Sequence, residues 1–165
     1  MEALGESLKN KKILIAEDSA VTGVMLKRIL TGNGFRIVWA KSGTEAAQEL
    51  KKNIPDLVIS DVEMPGMNGF ELCSLIKNDE TLKKIPVILC TSLSEPEDLI
   101  RGIESGADGY ITKPYDELSL LLRIESLLSN PTRLEHQPVS PVRITYAGKE
   151  YSIVADRLHI LNLLL

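Results

Sequence analysis

The chain has 165 residues, of which 44% are apolar and 25% charged, and a formal net charge of −4. That length suits one domain with a sizeable core and a small appendage, and the acidic balance gives no bulk electrostatic reason to hold nucleic acid. No apolar run reaches the roughly 20 residues of a membrane-spanning helix. The opening "MEALGESLKNKK" has no apolar signal core, so secretion is not expected and the expected setting is cytoplasmic.

The elements are predicted in chain order. "KKILIAEDS" (Lys11 to Ser19) is a short apolar run ending in acid and reads as a strand. A helix follows, with Val21, Met25, Leu26 and Ile29 at helical spacing, Ser19 or Asp18 as its cap and the glycines at 32 and 34 as its stop. "FRIVWA" is a second strand, with Trp39 as a strand aromatic, and "SGTEAAQELKKN" a second helix with Ala46, Ala47 and Leu50 on one side. "PDLVISD" is the third strand and "NGFELCSLIKND" the third helix. "IPVILCTS" is a nearly all-apolar fourth strand, followed by a helix over "EPEDLIRGIESGA" that Gly106 stops. "DGYITKP" is a short fifth strand, and "YDELSLLLRIESLLSN" a fifth helix with Leu118, Leu121, Leu122, Ile124 and Leu128 apolar. Cys73 and Cys90 lie in apolar neighbourhoods and read as buried, reduced thiols.

A strand–helix alternation repeated five times, with strand runs that do not alternate cleanly, predicts an α/β fold: a doubly wound five-stranded parallel sheet buried on both faces. In such sheets chemistry collects at the carboxyl ends of the strands. Here strand one ends in Glu17-Asp18, strand three in Asp61, strand four in Thr91-Ser92 and strand five in Lys113-Pro114. Each residue alone reads as an ordinary cap or turn. Four strand ends carrying acids, a hydroxyl and a lysine to one edge point instead to a shared site. Close carboxylates repel, and a hard cation such as Mg²⁺ relieves them while keeping open positions for phosphoryl oxygens. Lys113 and Thr91 would serve the remaining oxygens, and Asp61, leaving an apolar strand into an exposing Pro-Gly turn, is the candidate nucleophile. No GxxxxGK[ST] or GxGxxG loop is present, so nucleotide binding has no support. Glu63, two residues past Asp61, leaves an aspartate-nucleophile phosphatase as a remote alternative.

The stretches "ILIAEDS", "PDLVISDVEMPGMNGFELC", "IPVILCTS" and "GADGYITKPYD" resemble the response-regulator receiver domain of two-component signalling, over about residues 11–130. The resemblance implies the CheY-like, flavodoxin-like strand order 2-1-3-4-5. It implies Asp61 as phosphoacceptor, supplied by a histidine kinase or phosphotransfer protein. It implies Mg²⁺ held by Asp18, Asp61, the backbone carbonyl of Glu63 and, mainly through water, Glu17. Thr91 and Tyr110 become the switch pair, acting on a surface of helix four, strand five and helix five; Lys113 becomes the conserved-type lysine, with a cis bond to Pro114. Asn68 stands where the family often has aspartate. Leu93, with Glu63, would tune access of water to the acyl phosphate. Beyond the phosphotransfer and dephosphorylation that a receiver performs on itself, no enzymatic activity is legible in these residues.

The domain organisation expected is a receiver over residues 8–130, a Pro- and polar-rich linker over 131–141, and a hairpin with the start of a helix over 142–165. "AGK" at Ala147 to Lys149 is the expected hairpin turn and Asp156 the expected cap of the last helix. The closing "ILNLLL" reads as an element cut short, so the chain is expected to be part of a longer protein. The segment resembles the junction between a receiver and a downstream module of a hybrid histidine kinase; the alternative is the opening of a winged-helix transcriptional regulator. Its apolar residues predict homodimerisation through the C-terminal segment. His136 and His159 have no neighbouring metal-ligand spacing.

Overall fold

The computed structural model describes residues 5–92, 95–129 and 141–154. After a 3₁₀ turn at Glu6–Leu8, strands and helices alternate: β1 (Lys12–Ala16), α1 (Ala20–Gly32), β2 (Arg36–Ala40), α2 (Gly43–Lys52), β3 (Leu57–Asp61), α3 (Gly69–Lys77), β4 (Val87–Thr91), α4 (Pro96–Glu104), β5 (Gly109–Thr112) and α5 (Glu117–Ser129). All pairings among these five strands are parallel, in the order β2-β1-β3-β4-β5. This is the doubly wound sheet expected from the sequence. Its order reverses direction between β1 and β3, which opens a crevice at their carboxyl ends.

Burial explains the strand composition. Every residue of β3 and β4 is buried, because helices cover both faces. Ile13, Ile15, Leu57, Ile59 and Ile88 face α1 and α5; Leu14, Val58, Val87 and Leu89 face α2, α3 and α4. Four helices begin on side-chain caps: the Ser19 hydroxyl accepts from the Thr22 N–H, Ser42 from Glu45, the Asn68 side chain from Glu71, and the Asp116 carboxylate from Ser119. Ser19, not Asp18, is thus the cap of α1, and Asp18 is left to the crevice.

The apolar residues of α1 and α5 divide between a buried and an exposed face. α1 buries Gly23, Leu26 and Leu30, while Val21 and Met25 point outward, Val21 at 82% exposure. α5 buries Leu120, Leu121, Ile124 and Leu127 and exposes Leu118 and Leu122. A helix on a sheet buries one stripe, and a leucine-rich helix offers more than one stripe at the same spacing.

Residues 141–154 form an antiparallel hairpin, β6 (Pro141–Tyr146) and β7 (Lys149–Val154). Ala147 and Gly148 form its two-residue turn, both with positive φ (51° and 78°), the pattern of a type I′ connection. Lys149 already belongs to β7, so the turn is one residue shorter than expected. β7 lies against α4, and the Lys149 ammonium is 3.0 Å from the Glu97 carboxylate. The linker, apart from Pro141, and the helix expected after Asp156 fall outside the described residues.

Candidate functional site

Neighbouring strands deliver the acids. β1 runs out into Glu17, buried at 1% exposure, and the exposed Asp18; β3 ends on Asp61, at 9%. Carboxylate oxygens of the three lie within 4.8 Å of one another. From the end of β5 Lys113 reaches across, its ammonium 3.3 Å from Asp61 Oδ2 and 3.4 Å from Glu17 Oε2. The Lys113 N–H donates to the Thr91 carbonyl at 2.7 Å, tying the end of β5 to the end of β4, and the Lys113–Pro114 bond is cis. Thr91 itself is fully buried.

The backbone around these groups is held from behind. Glu17 Oε1 accepts from the Ser19 N–H at 3.0 Å, and the indole N–H of Trp39 donates to the Glu17 carbonyl at 2.9 Å. The Ser60 hydroxyl donates to the Asp61 carbonyl at 2.8 Å. The loop after Asp61 folds straight back, with the Gly69 N–H on the Val62 carbonyl at 2.9 Å. A Cβ at Gly69 would collide with the Asp61 carbonyl. The Pro-Gly-Met-Asn-Gly run therefore turns the chain so tightly that α3 starts directly behind the aspartate, which keeps Asp61 at the crevice.

Three carboxylates face one ammonium. Burial, reinforced by Asp61, raises the Glu17 pKa; the Ser19 amide and Lys113 only partly offset this. Burial works against the charge on Lys113, but the Asp61 and Glu17 carboxylates outweigh it and hold the ammonium above the ordinary lysine value. The pocket keeps an excess of negative charge on hard oxygen atoms, a donor set suited to a divalent cation. Cys90, one position below on β4, is pushed up to about 12 by burial and is inert as a thiolate.

The structure brings Glu17, Asp18, Asp61 and Lys113 together. Glu63 is exposed in the loop after β3; its N–H approaches Asp61 Oδ1 at 3.4 Å and its carboxylate accepts from the Ser92 hydroxyl at 3.3 Å. Tyr110 is buried at 4%, its hydroxyl near Thr91 but without a well-formed hydrogen bond among the described residues. Leu93 lies outside the described residues. Two residues to which sequence reasoning assigned no role at the site lie against it. Trp39 holds the Glu17 backbone, which follows from its pairing opposite Ile15. Burial, and behind it the Glu17 and Asp61 carboxylates, raises the Tyr115 phenol pKa, and the hydroxyl has no hydrogen-bond partner among the described residues. Nothing in the sequence distinguishes either from an ordinary core aromatic.

The sequence profile described as the response regulator receiver domain matches residues 13–125. Histidine kinase P4 of Formosa agariphila is 37% identical over 170 aligned residues, covering 96% of this chain and 12% of that protein. The phosphate regulon transcriptional regulatory protein PhoB of Escherichia coli K12 is 36% identical, over 72% of this chain and 52% of that one. Among solved structures, the signal receiver domain of a signal transduction histidine kinase from Syntrophus aciditrophicus is 42% identical with a TM-score of 0.71, covering 83% of this chain and 98% of that one. The chain thus spans about half the length of PhoB and a far smaller part of P4.

Proposed function

Because the chain belongs to the response regulator receiver family, whose members act in two-component signal transduction, we propose that it takes a phosphoryl group onto Asp61 from a histidine kinase or phosphotransfer protein. One observation carries this reading: Asp61 stands within 4.8 Å of two further carboxylates and 3.3 Å from the Lys113 ammonium. An Asp61 carboxylate oxygen attacks phosphorus in line. The bond from phosphorus to the donor nitrogen breaks, and the electron pair leaves with the donor imidazole. Lys113 neutralises phosphoryl oxygen charge beside its existing contact with Asp61. Mg²⁺ is the cation proposed for the pocket, held by Asp18, Asp61 and the Glu63 carbonyl with Glu17 behind; when bound, it would offset charge on the carboxylates and the phosphoryl oxygens. Thr91 and Tyr110 report the phosphoryl group to α4, β5 and α5.

The donor protein must cover the pocket, and α1 offers it an apolar face. Val21, Val24 and Met25 are exposed one turn beyond Ser19. A cytoplasmic setting belongs to the same reading; among the described residues no helix is long and apolar enough to cross a membrane. Of the two contexts for the whole protein, a hybrid histidine kinase is favoured over a winged-helix regulator. Similarity to P4 runs through 96% of the chain, hairpin region included, whereas that to PhoB covers 72%. Self-association through the C-terminal segment stays part of the proposal only for residues after Val154, since the hairpin is seated on its own α4.

Incubation with Mg²⁺ and a small phosphodonor should add the mass of one phosphoryl group to the full chain, and Asp61→Asn should take up none. Equal labelling of Asp61→Asn would remove Asp61 from the role.

A further inference from the structure

The hairpin sits on the helix that the switch has to move. The Tyr110 ring rests directly on α4 at Gly102, where a Cβ would come within 2.8 Å of the ring. The position must lack a side chain for the ring to lie inward. The Tyr110 hydroxyl is near Thr91 on one side; burial, and then the Asp98 carboxylate in the first turn of α4, push the phenol up to about 12. The residue before Asp98 is Glu97, and Glu97 holds Lys149 of the hairpin at 3.0 Å. The end of β4, Tyr110, α4 and β7 thus lie in succession, with the Tyr110 ring on Gly102 and Glu97 on Lys149 as the contacts that join α4 to each side. That start of α4 has no side-chain cap at Glu95, unlike α1, α2 and α3. An uncapped first turn is a natural place for a low-cost shift. A two-stranded hairpin is marginal alone in water, so residues 141–154 depend on this seat for their order.

We propose that residues 141–154 are an on-chain reader of the receiver: docking of the hairpin on α4 and inward seating of Tyr110 favour each other. A phosphoryl group on Asp61 therefore tightens the hairpin on α4, and by reciprocity the docked hairpin favours the phosphorylated receiver. This rests on the Asp61–Thr91–Tyr110 reading above and adds its first recipient, a segment of the same chain.

The test follows amide hydrogen exchange of the full 165-residue chain with Mg²⁺, with and without beryllofluoride as a stable phosphoryl mimic. Exchange in residues 141–154 should slow severalfold on adding the mimic. Lys149→Glu should blunt that response, and Glu97→Lys in the same chain should restore it. Gly148→Val, which forces a branched side chain into a positive-φ turn, should loosen the hairpin and weaken beryllofluoride binding severalfold. A response at amides around Asp61 with unchanged hairpin exchange, or beryllofluoride affinity unmoved by Gly148→Val, overturns this inference alone. No response around Asp61 at all overturns the phosphoacceptor reading and this inference with it.

Discussion

Two lysines in this chain are drawn into clusters of opposite design. At the amino edge of the sheet, Lys77 is 2.7 Å from Asp108, and its ammonium also donates to the carbonyls of Ile85 at 2.7 Å and Lys83 at 3.2 Å. That uses all three of its N–H donors. Asp108 in turn accepts the Val87 N–H at 2.9 Å. Charge is balanced, geometry is short, and the ends of α3 and the start of β4 and β5 are pinned together. At the carboxyl edge, Lys113 stands 3.3–3.4 Å from two of three carboxylates and leaves the group net negative. The first cluster is complete in the protein alone. The second is balanced only when a cation joins it, and this excess marks it as a site and not a brace.

Breaking the completed cluster should have the largest effect on stability. Lys77→Met strands a buried Asp108 carboxylate and should cost about 3–5 kcal/mol, read by urea unfolding; Asp108→Asn added to it should recover part of the loss. The folded fraction should still be phosphorylated, since Asp61 is untouched. Asp18→Asn should do the reverse: the fold is kept or slightly steadied by losing a like charge, while phosphorylation by a small donor is lost. Full labelling of that variant would break the contrast. Thr91→Ala should keep measurable phosphorylation but flatten the amide-shift changes on α4 and β5. The smallest effect belongs to Trp39→Phe, which removes one hydrogen bond to the Glu17 backbone, about 1 kcal/mol, with a modest loss of Mg²⁺ affinity by titration.

The carboxyl-edge cluster was legible in the sequence because its members sit at strand exits, where a one-dimensional pattern already marks the place. Glu17, Asp18, Asp61 and Lys113 each end an apolar run. The five strands followed from the same runs, and their order from the resemblance to the receiver family. The amino-edge cluster was not legible: Lys77 closes α3 and Asp108 precedes β5, positions where single charges are common, and only the packed sheet brings them to 2.7 Å. The buried faces of α1 and α5 were not legible for a related reason. Spacing identifies a helical face, but which of two apolar faces meets the sheet depends on how the helix is docked, as Val21 against Leu26 and Leu122 against Leu121 illustrate. The partnership of Glu97 with Lys149 likewise exists only once the hairpin lies on α4.

The contrast between a complete and an incomplete cluster is tested most directly by thermal unfolding of the full chain with and without Mg²⁺. At a concentration about 100 times its dissociation constant, Mg²⁺ should add roughly 2.7 kcal/mol, a rise of about 5–10 °C in Tm for a chain of this size. Asp18→Asn should lose most of that rise. An equal rise in Asp18→Asn, or no rise in the parent chain, would contradict the account.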